Sequence, residues 1–464
     1  MPITRRLLSS PAHAGLVVLV GLSSLAAMTA SCSSSSEGDP PPVSGGGDDA
    51  GTDAPSDAMP ADDVVDAGSK DATLVDATPL PIVCEAPPCA IALTTTLPSD
   101  ISSRNEGYCA LLTDGTVACW GTNTAGQLGD PEFTRHDSPV PVRVPGLSNI
   151  TELASTCAID TDGAVWCWGL GPFLQSDASA SSLAASPVRL PLPGPAAKVS
   201  VAPAVGCAVL RDKSVVCWGM NTTLQVSGDL TMNDLNVAPH LCPLAHGAKD
   251  VVVGGIGGFA SGATFAMYED GKLLSWGAVP SIGRATPLSP DGRPSAVALD
   301  HVTMVAVAGL EACAVANGVG WCWGAPDGRL NNPDPLARLL PRAVDTPEAI
   351  TRIATTRHWT VSEGYATYFE KRRWCATSVS GEVYCWGLNN AGQAGDGTKE
   401  YALSAVRVQG LPAPAAEVTV MPYSTCAILT NGKVYCWGSN ADGQIGAAGL
   451  PRASVGVPAE VKLP

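Results

Sequence analysis

Sixteen cysteines are the residues of this 464-residue chain whose type and spacing could do chemistry, and twelve of them fall into six pairs. Cys109 and Cys119, Cys157 and Cys167, Cys207 and Cys217, Cys375 and Cys385, and Cys426 and Cys436 stand ten apart, while Cys313 and Cys322 stand nine apart. The chemistries open to such pairs are disulfide formation and metal ligation, with reduced buried thiols as the inert alternative. The spacing disfavours a metal, because zinc sites use short Cys-x2-4-Cys steps and no histidines accompany these pairs. A seventh copy of the same stretch carries Phe265 and Ser275 in the two places, so both cysteines are missing together. Loss of a pair as a pair is what disulfide bonding predicts.

The element that positions each pair is a hairpin. Symmetric pairing of Cys109 with Cys119 centres the turn on Asp114 and leaves the loop Thr113-Asp114-Gly115, a three-residue turn whose glycine takes the left-handed conformation. In the nine-spaced copy the centre falls between Asn317 and Gly318, and Asn-Gly is the preferred two-residue turn. Loop length and turn type change there, while the cysteines stay opposite each other.

Each copy ends in Trp-Gly, at Trp120, Trp168, Trp218, Trp276, Trp323, Trp386 and Trp437, so the unit is 47 to 63 residues long and varies only between hairpins. Before the hairpin lies an apolar run such as 150–154, and after it a Pro-Val run such as 139–144. Four strands per unit and seven units, with almost no helical periodicity, predict an all-β seven-bladed propeller whose blades cover one another's faces. Recurrence of tryptophan in every unit favours packing between blades over an aromatic ligand cage. The stretches WGTNTAGQLGD from Trp120, WGLNNAGQAGDGT from Trp386 and WGSNADGQIG from Trp437 add a glycine-rich turn, kept in full in these three units.

On these motifs the chain, from Cys109 to its end, resembles the regulator-of-chromosome-condensation repeat family. The resemblance implies a seven-bladed propeller used for protein binding. It does not carry over the nucleotide-exchange activity of eukaryotic members, whose functional loop residues find no match here. Secreted bacterial members that inhibit β-lactamase are nearer in setting, and their binding residues likewise have no matching motif.

The compartment is read from the leader. Arg5 and Arg6 precede the apolar run 14–30, and Ser31-Cys32 follows. This is a secretory signal ending in a stretch that resembles a bacterial lipobox, with Thr29 where leucine is usual, so Cys32 is the expected lipidation site. The expected organisation is a lipoprotein signal peptide over 1–31, a disordered Ser/Pro/Gly/Asp/Ala-rich tether over 32–83, and the propeller over 84–464. Residues 37–80 hold eleven acidic residues against Lys70 alone, so most of the net charge of −16 lies in the tether. The mildly acidic remainder argues against nucleic-acid partners. Cys84 and Cys89 are expected to form a small clasp where the tether meets the ring. Cys242, near His240 and His246, is read as a half-buried or free thiol rather than a metal ligand.

Searches for catalysis return little. There is no His-Glu-x-x-His, Gly-x-Ser-x-Gly or P-loop. The glycine-rich run 254–260 precedes a hairpin instead of a helix, so no dinucleotide cofactor is expected. The longest unit contains Arg372, Arg373 and Trp374, and a basic, tryptophan-bearing cluster on an acidic domain is the composition of an interface hot spot. The expectation is therefore a non-enzymatic, lipid-anchored, protein-binding propeller of the bacterial outer membrane, periplasmic or surface-exposed, docking an acidic partner through these three residues. The alternatives are an inhibitor of a secreted enzyme such as a β-lactamase, and an enzyme with a site built from rim loops. Mass spectrometry of the mature protein should find a lipidated Cys32 at its N-terminus; a soluble product starting well downstream would overturn that expectation.

Overall fold

Repeated hairpins rich in β-branched and apolar residues cannot bury both faces alone, and they solve this by ringing. The computed structural model describes residues 75–97, 105–131, 136–172, 182–235, 237–255, 262–279, 281–324, 339–356, 359–363, 366–370 and 373–464. The leader, Cys32 and most of the tether fall outside these residues. Those described form seven four-stranded antiparallel sheets, the blades, spanning 90–143, 150–189, 196–241, 250–296, 302–344, 350–407 and 415–461. Every blade takes its four strands from one continuous stretch of sequence, innermost first. Neighbouring inner strands touch all the way round, from blade 1 to blade 7 and back to blade 1. The result is a seven-bladed β-propeller.

All six hairpins pair cysteine with cysteine in register, Cys313 with Cys322 included. The six bonds form within single hairpins, with Cα–Cα distances of 4.0 to 4.1 Å, and Cys84 joins Cys89 at 5.7 Å. The short turn of blade 5 has Asn317 and Gly318 both at positive φ, as its two-residue loop requires. In blade 4, Phe265 sits opposite Ser275. The phenyl ring fills the space of the missing cystine and meets Trp323 edge-on at 5.7 Å, while the Ser275 hydroxyl donates to the Ile282 carbonyl at 2.6 Å.

Successive residues of a strand face opposite ways, so Cys119 and Trp120 serve different seams. The cystine of blade 1 packs against blade 2 with Leu111, Ile150 and Trp168, whereas Trp120 packs back onto blade 7 with Ile428 and Ile445. The pattern repeats, and the cores lie between blades.

Five of the seven repeat tryptophans also meet a turn of the preceding blade. The indole N–H donates to the carbonyl of Gln127 from Trp168, of Gln225 from Trp276, of Ser281 from Trp323, of Gln393 from Trp437 and of Gln444 from Trp120, at 2.8 to 3.0 Å. In four of these turns an asparagine oxygen accepts the amide five residues on, as Asn123 does from Leu128, and a glutamine oxygen accepts the amide two residues back. Blade 3 builds this turn with Leu224 at positive φ where the other three have glycine, so one turn more than the glycine motif announced adopts the geometry. A glycine then faces the indole: a Cβ on Gly395 or Gly446 would come within 2.6 to 2.7 Å of the Trp437 or Trp120 ring nitrogen.

Residues 75–89, most of them assigned to the tether on composition, lie against the ring. A Cβ on Gly318 or Gly381 would touch Val75 or Leu80, the Val83 amide donates to the Thr430 carbonyl, and the Thr113 amide donates to the Cys89 carbonyl. The segment thus crosses the hairpin turns of blades 5, 6 and 7 and reaches that of blade 1. Along it Ala77 is buried and Leu80 and Ile82 are half-buried, while Val75 stays largely exposed. Replacing both Cys426 and Cys436 with alanine should cost about 2 to 3 kcal/mol, the model-dependent value for so short a loop, read as a lowered melting temperature; an unchanged melting temperature would show the bond to be energetically idle.

Candidate functional site

The inner strands end together at one face of the ring. There they surround a cavity of about 170 Å³ on the axis. Thr96, Ser155 and Thr356 bring hydroxyl groups from blades 1, 2 and 6, and Val201, Val253 and Val307 make an apolar arc from blades 3, 4 and 5. Gly254 is required here, because a Cβ on it would fall 2.0 Å from the Val307 side chain.

Beside this mouth the seam between the last and first blades holds a buried polar network. Glu106 is 1% exposed; one carboxylate oxygen accepts the Tyr423 amide at 2.5 Å, and the other accepts the Ser424 hydroxyl at 2.5 Å. Tyr108 and Ser424 share a further bond at 2.7 Å. Burial pushes the Glu106 carboxyl up to about 7, against the opposing effect of these donors and of Arg373. The same seclusion raises the Tyr108 phenol and lowers Arg373 to about 10.

Arg373, expected to dock an acidic partner, lies instead inside the ring, 1% exposed. Its guanidinium donates to the carbonyls of Met421 at 2.9 Å, Ser424 at 2.8 Å and Gln393 at 2.6 Å, and to the Thr425 hydroxyl at 2.5 Å. It spans blades 6 and 7 and is spent on closing them, so it is no docking residue. Truncating it would strand those carbonyls and leave Glu106 without its cation, at a cost on the order of 3 to 5 kcal/mol. Trp374 is half-buried and stacks on Trp386 at 6.2 Å. Arg372 lies outside the described residues.

The same unit carries an element that the count of four strands per unit passed over. Between the first and second strands of blade 6, Trp359–Glu363 pairs with Ala366–Glu370 in a separate two-stranded sheet. Its base is at the mouth, where the Thr356 amide donates to the Arg373 carbonyl at 3.2 Å. The signal was available, since WTVSEGYATYFE alternates around a glycine and holds four aromatic residues.

Other candidates resolve into structure. The buried Cys242 thiol donates to the Val226 carbonyl and is pushed up to about 12 by burial, with Asp229 adding to the rise. His240 and Ser227 both bond to Asp229, so the serine hydroxyl is held by a carboxylate and has no imidazole to take its proton. Among the described residues no group of three His, Cys, Asp or Glu could hold a metal ion, and no helix is long and apolar enough to cross a membrane.

Comparison with known proteins decides the type of repeat. Residues 114–157 and 422–444 match the family model described as the regulator of chromosome condensation (RCC1) repeat. The repeats are RCC1-like. Protein pim1 of Schizosaccharomyces pombe is 28% identical over 263 residues, 48% of this chain and 44% of its own length, so the chain spans less than half of that relative. Human WBSCR16 superposes with a TM-score of 0.60 at 19% identity, covering 75% of this chain and 95% of that one. Prp20p of Saccharomyces cerevisiae, described with its binding properties to Gsp1p and histones, gives 0.56 at 18% identity over 80% and 88%. Yeast RCC1 (Prp20) with Kap60 bound gives 0.55 at 19% over 75% and 83%. At these identities the RCC1 likeness is one of fold.

The raised Glu106 fixes a pH dependence. Because the folded ring holds this proton more tightly than the unfolded chain, its stabilising contribution is full below about pH 4.5 and is lost as pH rises through about 7. The melting temperature of the protein minus that of Glu106→Gln should therefore fall by several degrees across this window. Parallel profiles would show that Arg373 keeps Glu106 ionised throughout.

Proposed function

We propose that this chain is a lipid-anchored, extracytoplasmic protein-binding propeller of a bacterial envelope, a receptor or scaffold that docks its partner at the face bearing the axial mouth and the inserted hairpin. The observation that carries the compartment is the set of seven disulfides, since such bonds persist in oxidising compartments and are rare in the cytosol and nucleus. The leader and Cys32 agree with it. Protein binding is supported by the RCC1-like fold, whose yeast representative is seen with Kap60 bound.

The hairpin supports the choice of face. A two-stranded sheet on its own is marginal in water, and an aromatic one joined to a rigid ring offers what interfaces favour. The hydroxyl-bearing and apolar arcs of the mouth lie beside its base. Replacing residues 359–370 with a short Gly-Ser loop should abolish capture of the partner from envelope extract, while the melting temperature moves by no more than a few degrees. Undiminished capture would move the docking surface to another face.

A further inference from the structure

The inner strands carry a second layer of side chains, at the end of the axis opposite the mouth. In every blade two buried residues stand three apart, as in Ile150 with Leu153, Ile350 with Ile353 and Ala415 with Val418, and a register shift falls between them where the sheet records one. That bulge re-aims the residue just before the second of each pair. Around the ring these residues are Ala92, Glu152, Lys198, Asp250, Met304, Arg352 and Glu417, and all seven are half-buried. Five of seven equivalent positions are therefore charged, at the axis of a chain that is only 15% charged overall.

Closing the ring does not require this. The next layer along the axis, Thr94, Ala154, Ser200, Val252, Ala306, Ala354 and Thr419, is small and uncharged. Within this layer the charges are also incompletely matched, three carboxylates against two cations, with Lys249 acting on Asp250 from beside it. Lys198 holds both oxygens of Glu152 at 2.8 and 2.9 Å. Arg352 acts on Glu417 but leaves its own Nε buried without a hydrogen bond. Glu417 receives no side-chain hydrogen bond among the described residues, and burial together with Glu152 raises its carboxyl. Asp250 is raised by burial and by Glu152, while Lys198 and Lys249 oppose. Met304 brings no charge; its sulfur accepts the Ile353 amide.

The order of blades shows where the missing cation belongs. Blades 7, 1 and 2 present Glu417, Ala92 and Glu152, two carboxylates separated by a methyl group where the other blades carry longer side chains. We propose that this gap is a binding site for a primary ammonium on an alkyl stem, seated over Ala92 between Glu152 and Glu417. An ammonium has three donors to divide between two carboxylates and completes the charge balance of the ring. The site lies at the opposite end of the axis from the docking face and stands independently of it.

Two probes carry this chemistry, 1,4-diaminobutane as a free amine and acetyl-Gly-Lys-Gly-amide as a lysine side chain on a backbone. Calorimetric titration of the full chain should show saturable binding of at least one, weakened by salt and by acid, and which of them binds distinguishes a free amine from a partner's lysine. Ala92→Lys fills the seat from within and should weaken binding at least tenfold; Glu417→Gln should do the same and decides the matter if the first variant does not fold. Glu400→Gln, on the exposed surface, should bind like the parent. Absence of saturable binding, binding undiminished in the seat variants, or equal weakening by Glu400→Gln would each overturn the proposal.

Discussion

The propeller depends on one recurring contact, an indole laid on a turn of the preceding blade with its N–H given to that turn's carbonyl. A buried tryptophan carries the largest apolar surface of any side chain and one donor that must be satisfied. The turn answers both needs, because its asparagine and glutamine side chains tie up their own backbone and leave one carbonyl and one bare glycine facing the neighbour. Blade edges and faces are then fixed relative to each other by the same few atoms at five of the seven seams. The seam between blades 7 and 1 uses that contact too, and adds the Glu106, Tyr108, Ser424 and Arg373 network, which joins residues more than three hundred positions apart in sequence.

Much of this is legible in the sequence. Cysteine pairing, the change of turn at Asn317-Gly318 and the number of blades follow from local rules of register and turn geometry, and these are properties of ten or so consecutive residues. Arg373 was misplaced because nothing within its own strand says that it stands where other blades carry Gly107, Glu311 or Ser424, facing a neighbouring sheet. Composition pointed to the surface; three-dimensional repetition put it inside. Composition likewise read residues 75–83 as spacer, although Ala77, Leu80 and Ile82 are enough when a row of turns is there to receive them.

The axial charges were hidden by a subtler effect. Strict alternation would pair Ile150 with Glu152 on one face, yet the bulge inserts a residue and turns Glu152 toward the axis while Ile150 and Leu153 stay buried. Sequence periodicity of two cannot express that shift. The inserted hairpin was missed for the opposite reason: its alternation is plain, but an expectation of four strands per unit left no place for it.

Residues 75–89 give the ring a mechanical property. The described chain begins at the turn of blade 5 and is held successively at blades 6 and 7 before it enters the first sheet, with the Cys84–Cys89 loop near the end of that path. A pull exerted along the chain at Val75 is therefore shared among several blades before it reaches the inner strand of blade 1. That strand is hydrogen-bonded on one side only, to the second strand of its own blade. The segment acts as strain relief does on a cable, so that load arriving from its N-terminal side is taken up at successive turns before it reaches the closure of the ring.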